Sequence, residues 1–160
     1  MIIAVIGESS ASAENAMLAE KVGCLLAKAN VTVVCGGQGG VMKAVCKGAK
    51  KHGGTTIGIL PGMDTLDSNE YVDIPISTGL GNGRNLLVTR AGKSVIAIGG
   101  SYGTLSEIGL ALSDSKSVIG LNTWSLLRDE HLDCGIIVAN SPEEAVELAI
   151  CQANKNEGPS

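Results

Sequence analysis

The alternation of short aliphatic runs with helix-periodic segments constrains this chain more than any other feature. Such alternation is typical of right-handed βαβ units and a parallel sheet covered by helices on both faces. We predict seven strands, at Ile2–Ile6, Val31–Cys35, Thr56–Leu60, Tyr71–Ile74, Ser94–Ile98, Ser117–Leu121 and Gly135–Val138. We predict five helices, at Glu14–Ala29, Val41–Lys51, Arg84–Ala91, Thr104–Leu112 and Pro142–Cys151.

The aromatic content supports the same architecture. The 160 residues include no Phe, one Trp and two Tyr, so Ile, Val, Leu and Ala must fill the core. Aliphatic runs of this kind are typical of parallel strands buried on both faces. The sequence therefore predicts one α/β domain, a three-layer sandwich with a mainly parallel sheet of about seven strands, over residues 1–152. A flexible C-terminal tail is expected at 153–160.

Charge and cysteine usage narrow the function. The net charge is −4, and the sequence has neither the basic stripe nor the stacking aromatics that nucleic acid requires. Five cysteines without a CxxC spacing and only two histidines predict no metal site. Most of the cysteines are expected to be small buried groups in a reducing compartment. We see no signal-peptide or membrane-span pattern, so we expect a cytoplasmic protein without membrane partners.

Ligands of parallel α/β sheets bind outside the carboxyl ends of the strands, so the loops there are the candidate site. In the first loop, Gly7 permits a tight turn, and Ser9 and Ser10 either bind an anion or cap the next helix. The second loop joins a strand to a helix and contains four glycines, Gly36, Gly37, Gly39 and Gly40. Because glycines have no side chains, a phosphate can come close to the backbone N–H groups of this loop. The dinucleotide fingerprint GxGxxG does not fit, which argues against an ordinary dehydrogenase.

The third loop places Gly99, Gly100 and Gly103 before a helix that contains Thr104 and Glu107. Thr104 and Glu107 have the spacing of a capping box, so either a purely structural cap or a ligand role explains Glu107. Arg84 stands at a helix start, where a cation is unfavourable by about 0.3–1 kcal/mol. Either a fully solvated side chain or an anionic ligand in the cleft accounts for it.

Together these motifs resemble the superfamily that includes the Lonely Guy phosphoribohydrolases, whose members are often mislabelled lysine decarboxylases. The resemblance covers Ile2 to about Ile150 and is closest to the branch of molybdenum cofactor carrier proteins. It implies a Rossmann-like fold, a homo-oligomer (dimer or tetramer) and a small phosphorylated ligand, either a nucleotide or a molybdopterin-type cofactor. Asn85, next to Arg84, is a further candidate for the ligand-binding residues.

The resemblance leaves two functions open. In the phosphoribohydrolases an Arg lies 23 residues before a catalytic Glu, as Arg84 lies before Glu107 here. These two residues are the candidate catalytic pair for cleaving the N-glycosidic bond of a nucleoside 5′-monophosphate. The chain differs from that pattern at Gly99, Ser101, Ser106 and Asn85. The differences favour a binding protein without hydrolysis, with the hydrolase as the alternative. A DNA-processing module and a lysine decarboxylase are disfavoured.

Overall fold

The computed structural model describes residues 1–155, and its main feature is a seven-stranded sheet in which every pairing is parallel. The strands of this sheet are β1 (Ile2–Gly7), β2 (Thr32–Cys35), β3 (Thr56–Leu60), β4 (Ile74–Ser77), β5 (Val95–Ile98), β6 (Val118–Leu121) and β9 (Ile136–Ala139). Two short strands, β7 (Leu127–Arg128) and β8 (His131–Leu132), pair separately as an antiparallel hairpin. The predicted α/β fold with a parallel sheet of seven strands is confirmed.

The helices are α1 (Ala13–Lys28), α2 (Gly40–Lys50), α3 (Asn85–Ala91), α4 (Tyr102–Ser113) and α5 (Pro142–Lys155). Helices α1, α2 and α5 cover one face of the sheet, and α3 and α4 cover the other. Alternate residues of β1 supply the two cores: Ile3 and Val5 face the first group of helices, and Ala4 and Ile6 face the second. The strand order is β4-β3-β2-β1-β5-β6-β9. The chain therefore changes direction across the sheet between β1 and β5, which opens a crevice at their carboxyl ends.

Strand β4 begins three residues later than the sequence predicts. The segment before it forms a turn, in which Asn69 Oδ1 accepts the Tyr71 N–H and Asn69 Nδ2 donates to the Gly37 carbonyl. The Asp73 carboxylate accepts the Thr56 N–H at 2.9 Å, so a side chain and not a strand carbonyl is the partner of this backbone donor of β3. Regular pairing starts only at Ile74. β4 lies at the sheet edge, where the missing N–H of Pro75 is tolerated.

Two other expectations differ from the structure. Helix α5 continues through Lys155, with Ala153 buried, so the first three residues of the predicted tail are helical. The remaining tail residues, 156–160, lie outside the described residues. Of the five cysteines, only Cys35 and Cys46 are buried, whereas Cys134 and Cys151 are exposed. No helix within the described residues combines the length and apolarity of a membrane span.

Helices α1 and α2 pack closely enough to require glycine at the contact. A Cβ on Gly48 would overlap the Glu20 carbonyl oxygen, and a Cβ on Gly23 would overlap the Val45 carbonyl oxygen. Gly48→Ala should therefore lower the free energy of unfolding by about 1–3 kcal/mol, because backbone cannot move aside as a side chain does. Chemical denaturation of the purified variant measures this change.

Gly109→Ala is the matched control for Gly48→Ala. Gly109 is also helical, but it lies exposed on α4 and a Cβ there meets no atom within 4 Å. We expect this change to stabilise the protein by roughly 0.5–1 kcal/mol, the gain of replacing an exposed helical glycine by alanine. Equal effects of the two substitutions would contradict the close helix contact.

Candidate ligand-binding site

A cavity of about 160 Å³ lies where the strand order reverses, between the loops that follow β1 and β5. Its walls come from the carboxyl ends of β1 and β2, the turn before α3 and the first turns of α4. The lining residues are Ile6, Gly7, Glu8, Ser9, Gly36, Gln38, Met42, Asn82, Arg84, Asn85, Ser101, Gly103, Thr104 and Glu107. Most of these residues are polar, and Arg84 is the one positively charged side chain among them.

Arg84 is the buried cation of this cavity. It ends the 3-10 turn Gly81–Arg84, its residue is 8% exposed, and Nη1 donates to the Asn85 side chain at 2.8 Å. Its Nε–H is buried and has no hydrogen-bond partner among the described residues. Burial lowers the pKa of Arg84, although an arginine keeps its charge at neutral pH. The guanidinium therefore retains donor capacity toward the cavity.

Gly36 makes the position of Arg84 possible. A Cβ on residue 36 would lie 2.5 Å from Nη2 of Arg84 and 2.6 Å from the sulfur of Met42. The second glycine loop thus admits the arginine side chain at the end of β2. Sequence reasoning assigned Gly36 to direct phosphate contact, whereas the geometry gives it this additional packing role.

Glu107 faces Arg84 from α4. Oε1 lies 3.7 Å from Nη1 of Arg84, which is within ion-pair range but beyond an ordinary hydrogen bond. Burial raises the pKa of Glu107 to about 7, because desolvation of the carboxylate outweighs the attraction of the Arg84 charge. Near neutral pH the carboxyl group is therefore poised between its neutral and charged forms.

The first turn of α4 has backbone N–H groups that Thr104 does not cap. The helix begins at Tyr102 with Ser101 as N-cap, and Ser101 makes no side-chain hydrogen bond to the first turn. Thr104 is already helical, so the predicted capping box with Glu107 is wrong. By contrast, Ser141 does cap α5, accepting the Glu144 N–H at 3.1 Å. A cap therefore does not explain Glu107, and the N-terminus of α4 lies at the cavity.

The structure brings together eight of the sequence-predicted site residues and leaves six outside the cavity. Those that line it are Gly7, Ser9, Gly36, Arg84, Asn85, Gly103, Thr104 and Glu107. Those outside it are Ser10, Gly37, Gly39, Gly40, Gly99 and Gly100. Ligand binding by any of these fourteen residues stays a prediction.

The glycines outside the cavity have close neighbours within the protein. Gly37 packs on Gly58, and a Cβ on Gly40 would overlap the Glu8 carbonyl. Gly40 also has a φ of +58°, which favours glycine. Gly99 and Gly100 line a neighbouring cavity on the other side of Glu8.

Glu8 is the main residue that sequence reasoning missed. Its backbone carbonyl accepts the Val41 N–H at the start of α2, and its carboxylate accepts the Gly100 N–H. One residue therefore bonds both to α2 and to the loop before α4. Its position directly after β1, the central strand beside the crevice, is the signal that could have found it. Gln38, Met42, Asn82 and Ser101 were also missed as lining residues.

The strand order and the cavity at its reversal define a Rossmann-like α/β protein. More narrowly, the model of the SLOG cluster4 family matches residues 1–146, so the chain belongs to this family. A protein of Archaeoglobus fulgidus is 38% identical over 155 residues, which cover 97% of this chain and 98% of that protein.

Two solved structures are similar over nearly the whole chain. The molybdenum cofactor binding protein of Rippkaea orientalis is 38% identical and superposes with a TM-score of 0.85, covering 94% of this chain and 95% of that one. The molybdenum cofactor carrier protein of Chlamydomonas reinhardtii is 34% identical, with a TM-score of 0.84 and coverages of 96% and 98%. These likenesses confirm the resemblance that the motifs indicated.

Proposed function

We propose that this chain binds a small phosphorylated ligand, a nucleotide or a molybdopterin-type cofactor, and carries it without chemical change. The observation that carries the proposal is the buried, incompletely paired Arg84 at a cavity that also receives the N-terminus of α4. A helix N-terminus and an arginine fork are both suited to a phosphate group. The two solved relatives, described as molybdenum cofactor binding and carrier proteins, support the same ligand class.

The molybdenum cofactor would be cargo here rather than a resident group. Arg84, Asn85 and the first-turn amides of α4 would hold its phosphate, which fits the donor-rich lining of the cavity. No group of three or more His, Cys, Asp or Glu side chains that could ligate a metal occurs within residues 1–155. The residues that line the cavity are therefore suited to binding the phosphorylated organic part of the cofactor.

Thermal unfolding with and without ligand tests the proposal. A nucleoside 5′-monophosphate at 100 times its Kd should stabilise the native state by about 2.7 kcal/mol and raise Tm by several degrees. The matched control is the nucleoside without its phosphate, for which we expect a much smaller shift at the same concentration. Equal shifts for the two compounds, or none for either, would contradict a phosphate-directed site.

The alternative function is hydrolysis of the N-glycosidic bond of a nucleoside 5′-monophosphate. One observation favours it: a carboxyl group with a pKa near 7 faces an arginine in the same cavity. Such a group can stabilise the charge that develops on the ribose or position a water. Chromatography of the same mixtures for free base and ribose 5-phosphate separates carrier from hydrolase, because a carrier releases neither.

Homo-oligomer formation also stays a prediction. Val88 on α3 is fully buried within its own chain, so its side chain is not available to a second copy. Exposed apolar side chains lie instead on the edge strand β4, at Ile74 and Ile76, and on the loop after β3, at Met63 and Leu66. A second copy that covered these side chains would remove apolar area from water.

A further inference from the structure

The Arg84 cavity is too small to enclose a whole nucleotide. Its 160 Å³ falls below the roughly 300–1,000 Å³ that is typical of small-molecule pockets. A second cavity of about 390 Å³ lies next to it, and Glu8 lines both. A ligand whose phosphate occupies the first cavity can therefore extend past Glu8 into the second.

Glu8 is held in a defined orientation between the two cavities. Its Oε1 accepts a hydrogen bond from Asn15 Nδ2 at 2.9 Å, and its Oε2 accepts the Gly100 N–H at 3.2 Å. Asn122 Nδ2 donates to Asn15 Oδ1 at 2.7 Å, which keeps the Asn15 amide nitrogen turned toward Glu8. A carboxylate has about four acceptor positions, so each oxygen keeps capacity for one more donor.

An aromatic side chain completes the second cavity. Trp124 lines it, and the Tyr102 ring lies 5.9 Å away at an interplanar angle of 36°. The indole N–H of Trp124 is buried without a hydrogen-bond partner in the described part of the chain, which costs free energy in this state. An indole face is a stacking surface for a flat ring.

We propose, building on the phosphate-binding function above, that this second cavity binds a flat heterocycle with two adjacent N–H donors. The 2-amino-4-oxopyrimidine edge shared by guanine and pterins has this pattern. Glu8 accepts both donors, one on each carboxylate oxygen, while Trp124 packs against the ring. Adenine presents one donor beside an unprotonated ring nitrogen, whose lone pair would face a carboxylate oxygen. Hypoxanthine retains the ring N–H but lacks the 2-amino group.

Binding titrations with GMP, IMP and AMP test this assignment because they share the ribose phosphate and differ in the base. We expect GMP to bind at least tenfold more tightly than AMP, with IMP between them. Trp124 is the only tryptophan of the chain, so its fluorescence reports on the second cavity. GMP should change this fluorescence at saturation, and inorganic phosphate should not.

Glu8→Gln is the decisive variant. It should bring the affinities for GMP and AMP to within about twofold of each other. Inorganic phosphate should still bind, with an affinity no lower than the parent's, because the change removes a negative charge from the lining of the first cavity. Glu14→Gln removes the same charge from an exposed position of α1 and should keep the preference for GMP. Retained phosphate binding also shows that the Glu8→Gln protein is folded.

The arms of the experiment separate the possible outcomes. Neopterin phosphate beside GMP tells the two heterocycle sources apart, and Glu8-dependent binding of either supports the assignment. If phosphate and ribose 5-phosphate bind but GMP shows no advantage over AMP, the assignment is overturned while the phosphate-binding function stands. If no phosphorylated compound binds, both the heterocycle assignment and the phosphate-binding function are overturned.

Discussion

Arg84→Met should weaken the binding of a phosphorylated ligand by about 30-fold or more. Removing one member of a buried charged pair typically costs about 2–5 kcal/mol of binding free energy, and 2 kcal/mol corresponds to about this factor. Methionine keeps much of the volume beside Gly36 and Met42 but loses the charge and every donor. Isothermal titration calorimetry with a nucleoside 5′-monophosphate measures the change.

Arg90→Met is the matched control for this prediction. Arg90 lies near the other end of α3, is exposed, and bonds to Asp114 through Nε at 2.6 Å. The same chemical change there should alter affinity by less than twofold, because exposed ion pairs away from a site contribute little. If both variants weaken binding equally, the effect comes from the overall charge of the protein and not from the cavity.

The second large effect concerns pH. Sulfate, whose charge is constant between pH 6 and 8, should bind the protein up to about tenfold more tightly at pH 6 than at pH 8. An anion beside Glu107 favours the protonated carboxyl group, so binding takes up a proton when the free group, with a pKa of about 7, is ionised. Calorimetry in buffers of different ionisation enthalpy measures this uptake directly.

Glu107→Gln separates the carboxyl group from every other source of pH dependence. Glutamine mimics the neutral form, so the variant should bind sulfate at pH 8 about as tightly as the parent does at pH 6. Its affinity should change little between the two values. A variant that keeps the parent's pH dependence would assign the effect to another group.

The same carboxyl group should shape the stability of the unliganded protein. The pKa of Glu107 is raised on folding, from 4.5 to about 7, so the folded state binds more protons than the unfolded state across this interval. Stability from this group is therefore greatest at low pH and falls as pH rises from about 4.5 to about 7, by about 3 kcal/mol. Denaturation midpoints of the parent relative to Glu107→Gln should show this slope.

Much of the architecture follows from local sequence. Val31–Cys35 and Thr56–Leu60 are aliphatic runs bounded by glycine, proline or polar residues, and both form strands where the pattern places them, to within a residue. Strand β4 could not be placed in this way, because its start depends on the bonds of Asn69 and Asp73 to residues far away in sequence. Such long-range bonds leave no periodic signal.

The site was predictable in part for a related reason. Arg84 and Glu107 stood out because a helix start disfavours a cation and because their spacing matched a known pattern. The second glycine loop was read as an anion site from its composition alone. In the folded chain most of these glycines lie so close to backbone atoms of other segments, including those of Glu8 and Gly58, that a side chain would collide with them. A glycine can make room for a neighbouring segment of the chain or bring its amide close to a ligand. Which of these it does depends on how the segments approach one another in the folded chain, and the local sequence does not show this.

Residue 8 makes one bond through its main chain and two through its side chain. The main-chain bond to Val41 forms with any amino acid at this position, whereas the bonds to Asn15 and Gly100 require the carboxylate. If the second cavity binds a ring as proposed, a substitution at residue 8 would alter which ring is accepted, while the main-chain bond between residue 8 and α2 is kept.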